Sequence, residues 1–459
     1  MSVSRTRALA VLTTVLAALS LAGTASAHGG SLAAGGRESL TIPTWLFLST
    51  GGAAVGASFL LASFVTDRAF VERLHGWEAG LFDGGERLLL TLGRLLGLGG
   101  LVAVLVTGFL GPETPRTNLA ILLVWAGWWA GLVIVTYLLG NAWSALNPFK
   151  TLAMLLPSLD YGYPERFGAW PSVVGLLVLI WVEVVSPLAD QPRLLATVVA
   201  AYGAVTLAGA AIFGPTTWFQ RVDPVERVFR YYGRFAPITR GTDGFRLRLP
   251  AMDLSTPRLV DGADEVAFVV ALLWGTTYDG FVTTALWRDL STPVVAAGVP
   301  PHVLYPVVLA IGFGLFLGAY RLAARFARRS ADTYLATEAL AVRFAPPLLA
   351  IAVGYHFAHY LGYFLFLAPA LALAAVSPLS SPAAVPVYQL PAWFGAVGIV
   401  SVVVGHLLAI WVAHAAAYEL FPSRLQAIRS QYPFIAVMVL YTMISLWIVS
   451  RPEVALPHL

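Results

Sequence analysis

Cysteine is absent from this 459-residue chain, which excludes disulfides, thiolate metal sites, CxxC redox motifs, thioether-bound haem and a lipoprotein acyl anchor. Charge is scarce as well: 11% of residues are charged, against roughly 25% in a soluble domain. Lysine is almost missing, since Lys150 is the only one among 28 basic residues. There is no Ser-His-Asp pattern, nucleophile elbow or phosphate loop. What remains is apolar: 58% hydrophobic, with a mean hydropathy of +0.77. Such a chain cannot cover a water-facing surface. It reads as an all-α, polytopic membrane protein whose partner is the lipid bilayer. The net charge of +4 sits in short loops, where it reports orientation, so no nucleic-acid partner is expected.

Arg5 and Arg7 precede the apolar run "ALAVLTTVLAALSLAG", and "ASA" follows before His28. A positive start, a short apolar core and an A-x-A site predict a signal peptide over 1–27. An uncleaved first span is the alternative. Ten further stretches are long enough to cross, at about 20 residues each: 41–66, 88–111, 118–140, 169–190, 194–213, 264–288, 302–321, 347–375, 391–417 and 433–450. Residues 28–459 then form one ten-span domain. With its N-terminus outside, the inner loops are 67–87, 141–168, 214–263, 321–346 and 418–432, and the C-terminus is outside. Eight arginines in 214–263 and five in 321–346 fit the positive-inside bias of a cell-membrane protein. The loop 214–263 is the place for a cytoplasmic partner, although its arginines alternate with acids and an ordered loop is the default. "NAWSALNPFKTLAMLL" (141–156) is expected to lie at the interface or re-enter a short way.

Ionisable groups inside spans are rare and mark function by default. Here they are His356 and His359 in the eighth span, His406 and His414 in the ninth, Asp279 in the sixth and Glu183 in the fourth. Counting the helical rise from the inner end puts His356 at ~13 Å, His406 at ~16 Å, His359 at ~18 Å and the two acids at ~21–23 Å. His414 lies ~12 Å inward of His406. The pattern is a polar stripe from the outer half of the membrane to its inner surface.

Three chemistries fit. Imidazoles can hydrogen-bond between helices, at about 0.6 kcal/mol each. They can hold a transition metal such as Cu or Zn, with His359, His406 and His356 as ligands and His414, Asp279 and Glu183 as relay or supporting groups. They can pass protons, because a ring with pKa near 6.5 exchanges them at working pH. Haem is less favoured, since the eight-residue spacing of His406 and His414 does not match bis-histidine diheme helices. A mature N-terminal His28 would offer an outer metal chelate through its amine and ring.

"GYHFAHYLGYFLF" (354–366), "VVVGHLLAIWVAHAAA" (402–417) and "YPFIAVMVLYTMISLWIVS" (432–450) resemble the last three spans of the prokaryotic multipass proteins labelled fenitrothion hydrolase-like. "AHGG" (27–30), "NAWSALNPFKTL" (141–152), "YPERFGAWPS" (163–172) and "ADEVAFVVALLWGTTYDGF" (263–281) are similar too, in order over nearly the whole mature chain. The resemblance implies a membrane protein with His359, His406 and His414 at matching positions. His356 falls where that family has an apolar residue, and Ala415 stands where it often has an acid. The label implies a membrane-embedded, metal-dependent organophosphate hydrolase. Metal handling or proton- or ion-linked transport is the leading expectation, that hydrolase the first alternative and a non-catalytic assembly protein the second.

Overall fold

The computed structural model describes residues 67–82, 85–241, 244–256, 259–382, 384–451 and 454–458, together with Ser49, 51–53 and 55–60. The signal-peptide segment, His28 and most of the first expected span lie outside them. The protein is an all-α helix bundle. Among the described residues eight helices are long and apolar enough to cross a membrane: Arg87–Leu110, Leu119–Leu138, Pro192–Phe213, Ala263–Val282, Pro301–Ser330, Thr337–Val376, Gly395–Leu420 and Arg424–Ile448. The fourth expected span is shorter than the sequence implied. It is the apolar helix Trp170–Val185, ended by the extended backbone of Ser186 ahead of Pro187.

We label the described elements that matter here α1 (Arg68–His75), α2 (Glu86–Leu110), α3 (Leu119–Leu138), α4 (Trp143–Leu146), α5 (Pro148–Ala153), α6 (Trp170–Val185), α7 (Pro192–Phe213), α8 (Pro224–Tyr232), α9 (Ala263–Val282), α10 (Pro347–Val376), α11 (Gly395–Leu420) and α12 (Arg424–Val449). Residues Leu123–Leu132 of α3 are π-helical, a widened turn that often marks a functional site. α9 is the buried centre of the bundle, with every residue from Val266 to Gly280 buried.

The helices α10 and α11 cross at Gly354 and Gly405. A Cβ at Gly405 would lie 2.6 Å from the Ala350 carbonyl oxygen and 3.0 Å from the Gly354 Cα. Both obstacles are backbone, so neither can rotate away. This is small-residue packing of the kind that lets membrane helices approach closely. Gly405→Ala is therefore expected to cost about 1–3 kcal/mol through overpacking. Gly398→Ala, whose Cβ would meet its nearest neighbour at 3.5 Å, should be near neutral. Thermal unfolding of the two variants in detergent checks the contrast.

Two segments fold back into the bundle. Asn147 and Asp223 each precede a proline and cap a short helix. The Asn147 Oδ1 accepts from the Lys150 N–H at 3.1 Å, and the Asp223 Oδ1 from the Glu226 N–H at 2.7 Å. The capped turns then meet: Lys150 Nζ is 2.6 Å from Glu226 Oε1, and Asn147 Nδ2 donates to Glu226 Oε2 at 3.0 Å. Tyr202, about 16 Å from the end of α7, donates its hydroxyl to Asp223 Oδ2 at 2.8 Å. Gly203 and Gly209 of the same helix leave room for Phe149 and Trp218. For 141–156 the sequence left an interfacial helix and a short re-entry open, and the segment packs against α2, α7 and α8. Re-entry of 218–232, inside an arginine-rich loop, was not legible. There α8 buries Val228, Phe229, Tyr231 and Tyr232 completely or nearly so.

One end of the bundle carries a cap, which includes strands the sequence did not announce. β1 (Ala79–Phe82), β2 (Ile238–Gly241) and β3 (Gly244–Leu247) form an antiparallel sheet in the order β1-β3-β2. Glu78 pairs with Arg246 at 2.6 Å and with Arg248. Asp253 takes Arg248 at 2.7 Å and Arg234 at 2.8 Å. Arg68 donates to the carbonyls of Phe421 and Pro422, and Arg343 to Glu419 and the Ser255 carbonyl. Arg234, Arg246 and Arg248 of loop 214–263 are thus engaged with this chain's own acids.

The cap should be acid-sensitive. Hydrogen bonding from Arg246, helped by Arg248, holds the Glu78 carboxyl below its usual 4.5, and burial holds the His75 ring below its usual 6.5. Both groups bind fewer protons folded than unfolded, so both contribute stability that is lost as pH falls. For His75 the loss begins below pH 6.5, and for Glu78 below pH 4.5. The melting temperature is expected to fall between pH 7.5 and 5.5, and by less in His75→Gln, which does not titrate.

Candidate functional site

The site is built on α10, whose Tyr355–Tyr360 stretch faces α3, α8 and α9. Its outer part is an acid with two partners. Asp279 of α9, buried, has its Oδ2 3.4 Å from His359 Nε2 and accepts the Tyr360 hydroxyl at 3.0 Å. His359 lies edge-on to Tyr360, ring centroids 4.8 Å apart. Removing a carboxylate from water is costly unless hydrogen bonds are returned to it, and the Tyr360 hydroxyl returns one.

One turn toward the cap, His356 is fully enclosed in an aromatic box. The Tyr360 ring is 4.5 Å away, and the rings of Trp129, Tyr137 and Tyr232 are each 5.8 Å away. Trp129 comes from the π-helical turn of α3, Tyr137 from the end of the same helix, and Tyr232 from the re-entrant α8. The Tyr137 hydroxyl is 3.3 Å from His356 Nδ1. Tyr360 thus touches both halves of the site, hydrogen-bonded to Asp279 and with its ring tilted against His356.

His406 of α11 follows Gly405 at the helix crossing and is buried. Its Nδ1 lies 2.7 Å from the Val402 carbonyl oxygen. A carbonyl cannot donate, so Nδ1 carries the proton and the neutral ring presents a lone pair at Nε2. That Nε2, like His356 Nε2, is buried without a hydrogen-bond partner among the described residues. Nearer the cap, the His414 ring is tilted against Tyr418 at 4.6 Å, and its Nδ1 is 3.4 Å from Gln431 Nε2 of α12. Glu183 of α6 lies within electrostatic reach of Tyr360 and Tyr363.

The structure therefore brings Asp279, His359, Tyr360 and His356 into one contiguous group. His406 and His414 sit apart from it along α11, each held by its own neighbours. Among the described residues no three histidines or acids gather as a set that could hold one metal ion. Trp129, Tyr137 and Tyr232 were not predicted as parts of the site. The signal that could have raised them is the density of aromatic residues in "VWAGWWAGLVIVTY" and "VFRYY", but nothing in either stretch says that both converge on His356. No family model matches this sequence, and no curated protein or solved structure is similar to it.

Proposed function

We propose that this chain is a proton-conducting or proton-coupled transporter of the cell membrane, with both mature termini outside. Its relay starts at Asp279, His359 and Tyr360, continues to His356 in its aromatic box, and reaches the inner surface past His406 and His414. The observation that carries this reading is the unbroken contact from the Asp279 carboxylate, through Tyr360, to an enclosed His356. Intramembrane acid and histidine chains of this kind serve as proton relays in pumps and transporters. The arginines of loops 214–263 and 321–346 support the orientation.

The test is proton flux into proteoliposomes holding the purified full chain, driven by a potassium diffusion potential and read with an enclosed pH-sensitive dye. Flux above that of empty liposomes, lost in Asp279→Asn, supports the relay. A chelator present throughout separates it from metal handling. The relay predicts unchanged flux, whereas loss restored by added zinc or copper would assign the histidines to a metal instead.

A further inference from the structure

The stripe of histidines along α11 has a gap. His406 and His414 are eight residues apart, about 12 Å along the axis, too far for a proton to pass between their rings directly. Another element reaches this interval. His75, the last residue of α1, stacks on Trp411 with ring centroids 6.1 Å apart and planes 12° apart. Trp411 is five residues past His406 and three before His414, so the His75 ring enters between their levels.

The hydrogen bonds of His75 fix its chemistry. The Ser255 hydroxyl donates its single hydrogen to the Met252 carbonyl at 2.9 Å, so toward His75 Nδ1, 3.0 Å away, it acts as an acceptor. Nδ1 then carries the proton and Nε2 the lone pair, the same tautomer that Val402 imposes on His406. Nε2 of His75 is buried and unpartnered among the described residues, as are His406 Nε2, Trp411 Nε1, Tyr418 Oη and Gln431 Oε1 around the same stretch of α11. Buried polar atoms without protein partners are ordinarily satisfied by ordered water.

We infer that His75 is the proton-transfer group that bridges His406 to His414 and the inner solution, so that the α1 segment of the cap supplies the inner end of the pathway. Nε2 takes up the proton arriving from His406, the Nδ1 proton leaves to water at the inner surface, and ring turnover restores the starting tautomer, so one proton moves and none is left on the ring. The charges packed around it are already matched: Asp253 by Arg234 and Arg248, and Arg343 by Glu419. Burial that keeps the ring neutral at pH 7 suits a carrier that must release what it takes up.

This inference rests on the relay reading. Its test uses the same proteoliposomes with His75→Gln, whose amide can still donate to Ser255, and His75→Ala. We expect flux at least ten times lower in both, with wild-type gel-filtration profiles, and partial recovery of His75→Ala by added imidazole. Wild-type flux in His75→Gln would overturn the bridge while leaving the relay standing. A loss in His75→Ala that imidazole does not restore would also overturn it, because the side chain would then act only by packing. Absence of flux in the wild type would overturn the relay reading itself, and the bridge with it.

Discussion

Asp279→Asn is expected to lower proton flux by on the order of 100-fold, the scale on which a positioned proton-transfer group acts, while leaving thermal stability unchanged or raised. The two readouts move in opposite directions for one reason. The Asp279 carboxylate is buried in the middle of α9, held by the Tyr360 hydroxyl at 3.0 Å and by His359 Nε2 at 3.4 Å. Asparagine keeps the shape and can still accept the tyrosine hydroxyl, but it cannot take up and release a proton as the carboxylate does. A group retained for packing would cost stability when replaced, whereas one retained for chemistry is often a stability liability that its replacement relieves. Tyr360→Phe tests the link to His356 separately: it keeps the ring against His356 and removes only the hydroxyl. A smaller loss of flux is expected there. Equal stability losses in both variants, with flux unchanged, would return the site to interhelical hydrogen bonding.

The outer part of this site was legible because hydropathy fixes helix ends, and a rise of ~1.5 Å per residue then fixes depth. That count put Asp279 slightly outward of His359 on a separate helix, and the two side chains lie 3.4 Å apart. The same count put His406 level with His356 and His359, but level is not contact. Rotation about the helix axis decides which neighbour a ring meets, and His406 turns to its own backbone at Val402. The enclosure of His356 was beyond reach for a different reason. Tyr232 lies in "RVDPVERVFRYYGRF", where polar and charged residues lower the average enough to look like a solvated loop. Its capping signature, Asp223-Pro224 with Glu226 following, was readable as a helix start. What could not be read was that Arg227 finds a matching acid inside the protein, which is what allows a charged helix to be buried. His75 is a similar case: its sequence neighbours are loop-like, and only the approach of α1 to α11 gives it a role.

That buried pair is where the largest loss of stability is expected. Arg227 is 1% exposed, and its Nη1 is 2.6 Å from Glu265 Oε1 at the start of α9. Its Nη2 donates to the Gln220 carbonyl at 2.5 Å, and the guanidinium lies 5.5 Å from the centre of the Phe268 ring. Glu265→Gln would leave a buried guanidinium without its counter-charge, at a cost of about 3–5 kcal/mol. Arg230, 3.8 Å from the same carboxylate, is 31% exposed and can turn to water, so it adds little to that cost. The double variant Arg227→Met/Glu265→Gln removes both charges and should recover most of the loss, since a buried pair replaced as a whole is often neutral. Thermal unfolding of the four proteins in one detergent closes the cycle. Additive losses would mean that the two residues act independently and that α8 is anchored elsewhere. The coupled result ties the anchor to the site, because α8 carries Tyr232 against His356 and α9 carries Asp279 against His359. On that result Glu265→Gln also loses flux through displacement of Tyr232, although Glu265 lies fourteen residues before Asp279 on α9, and the double variant regains flux together with stability.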